Sequence, residues 1–277
     1  MMRRGLAFEL FRHVVLLVGA AVMLAPFVWM IATSFKPPHE IFAGELTLLP
    51  QQWHAVENYR QAFTKVPMLR YLANGLIVTT AIFSLQVLVA VPCAYALAKL
   101  EFRGRELIFT LTLFGLLIPA HVPAIPLYIM LWKAGLLNTY AALVIPFVIS
   151  VFGIFLMRQF FKAIPDELIH AARLDGLSEF AIVWRIMVPA AMPALVSFAI
   201  FSVVAHWNDY FWPLLVINSR ELAPPPLGVA YFRNEEAGHD FGPLMAGAVI
   251  ITAPLVVAFL LAQRRFIEGM TMTGLKN

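Results

Sequence analysis

Charge is what this chain has least of. Of 277 residues only 13% are Asp, Glu, Lys or Arg, against 61% hydrophobic, whereas soluble domains carry about a quarter charged residues. With a mean hydropathy of +0.81, a soluble globular fold is excluded. A single cysteine, Cys93, rules out an intrachain disulfide and any Cys-based metal site. The seven His, at 13, 39, 54, 121, 170, 206 and 239, show no metal-ligand spacing, so no metal site is expected. GxSxG, HExxH and paired carboxylates inside an apolar run are all missing, so no catalytic residue and no enzymatic activity are expected. Gly269 and Gly274 have P-loop spacing, but Leu275 stands where the lysine belongs and no strand precedes them. The chain has no means of binding ATP or Mg2+ for itself.

What is there is a series of apolar runs long enough to cross a bilayer of about 30 Å. The expected spans are residues 14–33, 71–98, 107–131, 140–156, 190–217 and 243–263, with an amino-terminal segment 1–13 and a tail 264–277. The first run, of about 20 residues, exceeds a signal peptide's apolar stretch and is read as a retained span. Thirteen of the twenty Lys and Arg fall on one side of this arrangement, at both termini and in the segments 99–106 and 157–189. The positive-inside bias places both termini in the cytoplasm. It also accounts for the isoelectric point near 9.3 without nucleic acid, since the basic residues are dispersed. The lipid bilayer is the expected partner. Within the third run, Pro119, Pro123 and Pro126 must kink or break the helix. A packing kink is the expectation, and a broken helix lining a solute path the alternative.

The polar interruption at residues 157–189 contains "PDELIHAARLDGLSEFAIVWRIMVP" from 165 to 189. It reads as two short helices and a hinge. Asp166 is expected to cap the first, with Glu167 in its first turn. Leu168, Ala171, Ala172 and Asp175 recur at helical spacing on one small or apolar face. Gly176 ends that helix, because glycine adopts the left-handed conformation freely, and Ser178 with Glu179 starts the next. A short capped helix with a small face suits close docking into another protein.

Ala171, Ala172, Gly176, Ile186 and Pro189, with Asp175 before the glycine, resemble the EAA loop of ABC importer permeases. Two positions depart from the family pattern: His170 stands for its glutamate and Val188 for the leucine before the last proline. The runs "FLMRQFFKAIPDEL", "WNDYFWPLLV" and "RRFIEGMTMTGLKN" are similar to the second permease of maltose-type and glycerol-phosphate-type importers. The resemblance implies an all-α, six-span inner-membrane protein whose coupling loop lies between spans 4 and 5. It also implies a second permease subunit, two ATP-hydrolysing subunits that bind ATP and Mg2+, and a periplasmic solute-binding protein. The small-molecule solute would be a carbohydrate or polyol, with glycerol phosphate as an alternative. A stand-alone secondary transporter or channel is the rival class, and needs an ion-coupling site at mid-membrane.

Asp209 sits in the fifth run beside Trp207, Asn208 and Tyr210. A carboxylate among aromatics suits sugar recognition. Interface aromatics with a structural Asp are the alternative.

Overall fold

The computed structural model of the protein describes residues 2–41, 47–119, 121–234, 238–239 and 241–271. The last six residues of the expected tail, 272–277, lie outside them. The described chain is helical apart from one antiparallel pairing of Arg233–Asn234 with Gly238–His239. In chain order the principal helices are α1 (Met2–Ser34), α2 (Ala55–Thr64), α3 (Met68–Lys99), α4 (Arg105–Phe114), α5 (Ala124–Lys133) and α6 (Tyr140–Phe147). They continue with α7 (Val151–Ala163), α8 (Asp166–Leu174), α9 (Glu179–Ala190), α10 (Met192–Trp207), α11 (Phe211–Val216), α12 (Pro225–Ala230) and α13 (Phe241–Thr271).

Three stretches are long and apolar enough to cross a membrane: Phe8–Ser34, Met68–Lys99 and Phe241–Gln263. Two bent pairs qualify if each counts as one span: α6 with α7, bent by 43°, and α9 with α10, bent by 85°. The third proline-rich run does more than kink. Its helix stops at Phe114, tightens into a 3-10 turn over Gly115–Leu117, turns extended at Ile118 and resumes only at Ala124. α4 and α5 have ten residues each, about 15 Å apiece, so neither crosses a bilayer alone.

The chain forms two compact units, residues 1–69 with 228–253, and residues 70–227 with 254–277. In the first unit α1 exposes Leu10, Phe11, Leu16, Leu17 and Met23 by more than 60%. An apolar helix so little covered by its own chain fits a lipid or protein surround, not water. Beyond its end the chain is tied down by polar side chains. Asn58 on α2 donates to the Ser34 and Lys36 carbonyls, each at 2.9 Å, and Glu40 accepts the Gln51 and Gln52 N–H groups at 2.9 and 2.8 Å.

In the second unit, α3, α7, α8, α9 and α10 share a core of Val91, Ala94, Tyr95, Met157, Phe161, Ile169, Ala172, Ile182 and Met187. An adjoining cluster joins Ala90, Leu97, Phe109, Ile154 and Phe198. Arg158, 2% exposed, closes the end of this core. It donates to the Leu97 carbonyl at 3.0 Å and to both oxygens of Glu106 at 3.0 and 3.1 Å, and its guanidinium lies 3.5 Å from the Phe109 ring centre.

α7 and α10 approach closely because Gly153 has no side chain: a Cβ there would stand 2.3 Å from Phe198 Cζ. Gly153→Ala should therefore overpack the crossing and cost about 1–3 kcal/mol. The check is a lower melting midpoint of the detergent-solubilised protein.

Candidate functional site

The segment 157–189 folds from local signals. Pro165 precedes α8 as its capping residue, and Asp166 is the first helical residue, not the cap expected from sequence. Asp166 instead takes a hydrogen bond from Lys99 at 2.5 Å, and the same ammonium donates to the Ile164 carbonyl at 2.5 Å. The Lys99 hydrogen bond, and secondly its charge, hold the Asp166 carboxyl below the usual aspartate value. At the other end Gly176 has φ +80, the Leu177 N–H bonds to the Ala172 carbonyl and the Gly176 N–H to that of Arg173, both at 3.0 Å. That is a Schellman ending, and Leu177 packs on the core beside Ala172 as the motif favours. Ser178 then caps α9, its Oγ accepting from the Ala181 N–H.

α9 widens into a π turn over Val183–Met187, directly before Pro189. Proline offers no N–H to the carbonyl four residues back and its ring crowds it, and the wider turn accommodates both. Ile186 lies in that turn, half-buried against the core. Pro189 is exposed, and Pro193 then opens α10 after the 85° bend.

The two faces of α8 differ from the sequence expectation. Ile169 and Ala172 point into the core at 2% and 3% exposure. Glu167, Leu168, His170, Ala171, Leu174 and Asp175 are exposed, Leu174 by 89%. Of the two adjacent alanines, Ala172 is therefore spent on internal packing and Ala171 alone faces outward. His170 lines a cavity of about 390 Å3 with Lys99, Leu100, Glu101, Asp166, Ile169 and Arg173.

The four residues singled out near Asp209 do not form one group. Trp207 is 6% exposed, and its ring would lie 3.1 Å from a Cβ at Gly75, so it packs α10 against α3. Asn208 bonds back to the Val204 carbonyl, and Tyr210 is 42% exposed. Only Asp209 reaches a cavity, of about 240 Å3, with His121, Phe147, Ala205, His206, Phe211 and Trp212. Its Oδ1 also accepts the Trp212 N–H at 3.2 Å, which caps α11. His121 stacks on Phe211, ring centres 4.4 Å apart and planes within 5°.

His206 also borders a second cavity of about 280 Å3 lined by Gln86, Ser150, Phe152, Phe198, Phe201, Ser202 and Ala205. There Gln86 on α3 donates to the Phe147 carbonyl at 2.9 Å, accepts from Ser202 Oγ at 2.6 Å and stands 3.2 Å from His206 Nε2. Gln86 is a polar residue in an apolar run, and nothing in its local sequence ties it to Ser202, 116 residues away.

Comparison with known proteins agrees with this arrangement. Residues 86–271 match the model of the binding-protein-dependent transport system inner membrane component. The chain belongs to that family. It is a permease subunit of an ATP-binding-cassette importer. An arabinooligosaccharides transport system permease protein of Halalkalibacterium halodurans is 32% identical over 260 residues, 93% of each chain. A diacetylchitobiose uptake system permease protein of Streptomyces coelicolor is 30% identical, over 96% of this chain and 88% of that one. Among solved structures, a chain of a bacterial ABC transporter involved in the import of the acidic polysaccharide alginate superposes with a TM-score of 0.80. It is 25% identical, with 94% of this chain and 96% of that one covered.

The Lys99–Asp166 pair sets a pH expectation. A carboxyl whose folded value is depressed contributes above the ordinary carboxylate range and loses that contribution as pH falls through the folded value. The difference in melting midpoint between the parent and Asp166→Asn should be small, constant from pH 8 to 5, and close only below about pH 4. A difference that shrinks between pH 8 and 6 would contradict the pairing.

Proposed function

We propose that this chain is one permease of a heterodimeric importer for a carbohydrate or related polyol that carries two ATP-hydrolysing subunits, one of them seated on the outward face of α8. The observation that carries this is the division of α8 into a buried side and an outward side. Ile169 and Ala172 lock it from behind while Leu168, Ala171 and Leu174 stand uncovered between Glu167, His170 and Asp175. An apolar residue exposed by 89% on a polar loop is what a partner's groove would cover. Asp166, Glu167, His170, Ala171, Ala172, Asp175, Gly176, Ile186 and Pro189 are then the coupling loop. ATP and Mg2+ belong to the ATPases, and a periplasmic binding protein delivers the solute.

The remaining topology follows the charge asymmetry. Both termini are cytoplasmic and six spans lie near 14–33, 71–98, 107–131, 140–156, 190–217 and 243–263, the third of them broken. Asp209, with His121, His206 and Gln86, lines the candidate solute path. Trp207, Asn208 and Tyr210 contribute to it only through packing and helix ends.

A carbohydrate or polyol fits because hydroxyls can donate to Asp209 and sugar CH faces can lie on Phe211 and Trp212. A glycerol-phosphate transport permease of Yersinia pestis is 28% identical over 97% of each chain, so that solute deserves comparison. Neither cavity near His206 is lined by a Lys or Arg among the described residues, which favours an uncharged solute over a phosphate. Asp209→Asn should lower uptake of a neutral oligosaccharide several-fold in the assembled importer while leaving the amount of complex unchanged. A fall in complex that matches the fall in uptake would assign Asp209 to helix capping alone.

Gly176 provides the test of the coupling loop. A Cβ there would meet open space, so the penalty is conformational, from φ +80, about 1–2 kcal/mol for an ordinary residue. Gly176→Val should abolish solute-stimulated ATP hydrolysis, whereas Gly176→Asn, which tolerates the left-handed region, should retain most of it. Full transport by the Val variant would overturn the assignment.

A further inference from the structure

We infer that Tyr95 and Lys99 clamp both ends of α8 to α3, so that α3 is carried with the coupling helix and delivers its displacement to Gln86 in the solute cavity. The inference rests on the coupling reading of α8. Tyr95 and Lys99 are one helical turn apart and share a face of α3. Lys99 holds the amino-terminal end through the Ile164 carbonyl and the Asp166 carboxylate. Tyr95 Oη donates at 2.5 Å to Glu179 Oε2 just beyond the carboxy-terminal end. Arg173, in the last turn of α8, grips the same carboxylate at 2.7 and 3.3 Å.

Between these ends Ile169 and Ala172 belong to the same buried cluster as Val91, Ala94 and Tyr95. The attachment is thus threefold: a charge pair, an apolar face and a shared carboxylate. The Lys99 side chain is only 6% exposed. The Asp166 carboxylate it meets is 67% exposed, so the hold at this end rests also on the Ile164 carbonyl.

A load applied at Tyr95 and Lys99 has a defined destination. α3 is continuous from Met68 to Lys99, through Pro92. Gln86 lies nine and thirteen residues before the two clamps, about 14 and 20 Å along the axis. Its amide bonds to the Phe147 carbonyl at the end of α6 and to Ser202 on α10, and it borders His206. Moving α3 along its axis alters these contacts together, and with them the shape of the cavity. Tyr95 and Lys99 are positioning residues that touch neither solute nor ATP.

The experiment uses the complete importer in proteoliposomes with its binding protein, measuring basal and solute-stimulated ATP hydrolysis and solute moved per ATP. Tyr95→Phe keeps the buried ring and removes one oxygen. Lys99→Met keeps the length of the side chain and removes its charge. Each should leave complex abundance and basal hydrolysis at parent levels while lowering solute moved per ATP, and the double variant should lower it at least tenfold. Lys99→Arg should restore it, as should the exchange Lys99→Asp with Asp166→Lys in part. Parent-like solute per ATP in both single variants, or a loss that follows complex abundance, would overturn the clamp. Leu174→Asp tests the coupling reading separately, because Leu174 is 89% exposed. If the ATPases stay attached and stimulated in that variant, the seat on α8 fails whatever Tyr95 and Lys99 do.

Discussion

A carbonyl at membrane depth that has lost its N–H partner must find another, because no water is there to replace it. Most of the polar architecture of the second unit answers that constraint. Pro146 cannot serve the Ala142 carbonyl one turn behind it, and Trp212 Nε1 donates there at 2.9 Å. α6 ends at Phe147, and Gln86 takes up its carbonyl. Asn74 donates to the Glu221 and Ala223 carbonyls at 2.9 Å each, beside the prolines at 224–226, and is itself held by Tyr140 Oη at 2.7 Å. Beyond the spans, Arg158 and Lys99 also serve the ends of helices, at Leu97 and Ile164. With nineteen prolines, this chain breaks its helices at several points, and at Ala142 and Phe147 a distant side chain takes up the freed carbonyl.

Those obligatory donors also place the functional groups. Gln86 is pinned by the Phe147 carbonyl, and that leaves its amide oxygen for Ser202 and its edge toward His206. Trp212 is pinned by Ala142, which fixes α11 and so the Asp209 carboxylate that caps it. The cavity near Asp209 is therefore a by-product of how the helix ends are satisfied. A donor bridges two helices at one wall, and His121 stacks on Phe211 at another.

The same constraint separates what was legible in the sequence from what was not. Gly176 and Ser178 act on their own neighbours, so the end of α8 and the start of α9 could be read directly. The long apolar runs were equally local signals. The three prolines of the third run determine that N–H groups are lost but not whether the helix bends or parts. That outcome depends on what surrounds the freed carbonyls. Asp166 has the chemistry of a cap, yet Lys99, 67 residues away, claims it. Ala171 and Ala172 look alike in the sequence. Which of them faces inward follows from the position of Ile169 against α3, which the sequence of α8 does not contain. Asp209 faces a different surround from Trp207, Asn208 and Tyr210 for a related reason. Adjacent residues at a helix end point in different directions, and the true neighbours of Asp209 come from four separate segments.

α8 itself has only nine residues, too few to hold a helical form alone, since isolated helices below about 12–15 residues are marginal in water. Its shape is imposed by Gly176 at one end, Lys99 at the other and the core beneath. Such an element can pass on a push only as faithfully as its supports are stiff. The supports differ in kind. Burial of Ile169 and Ala172 resists lifting, and resists sliding only as far as two small contact points interdigitate with the face beneath. The Lys99 and Glu179 contacts are directional and resist sliding along the axis of α3. A nine-residue helix seated on an apolar face and fixed by hydrogen bonds at both ends is therefore constrained against both displacements. That combination lets a short surface segment move a helix three times its length.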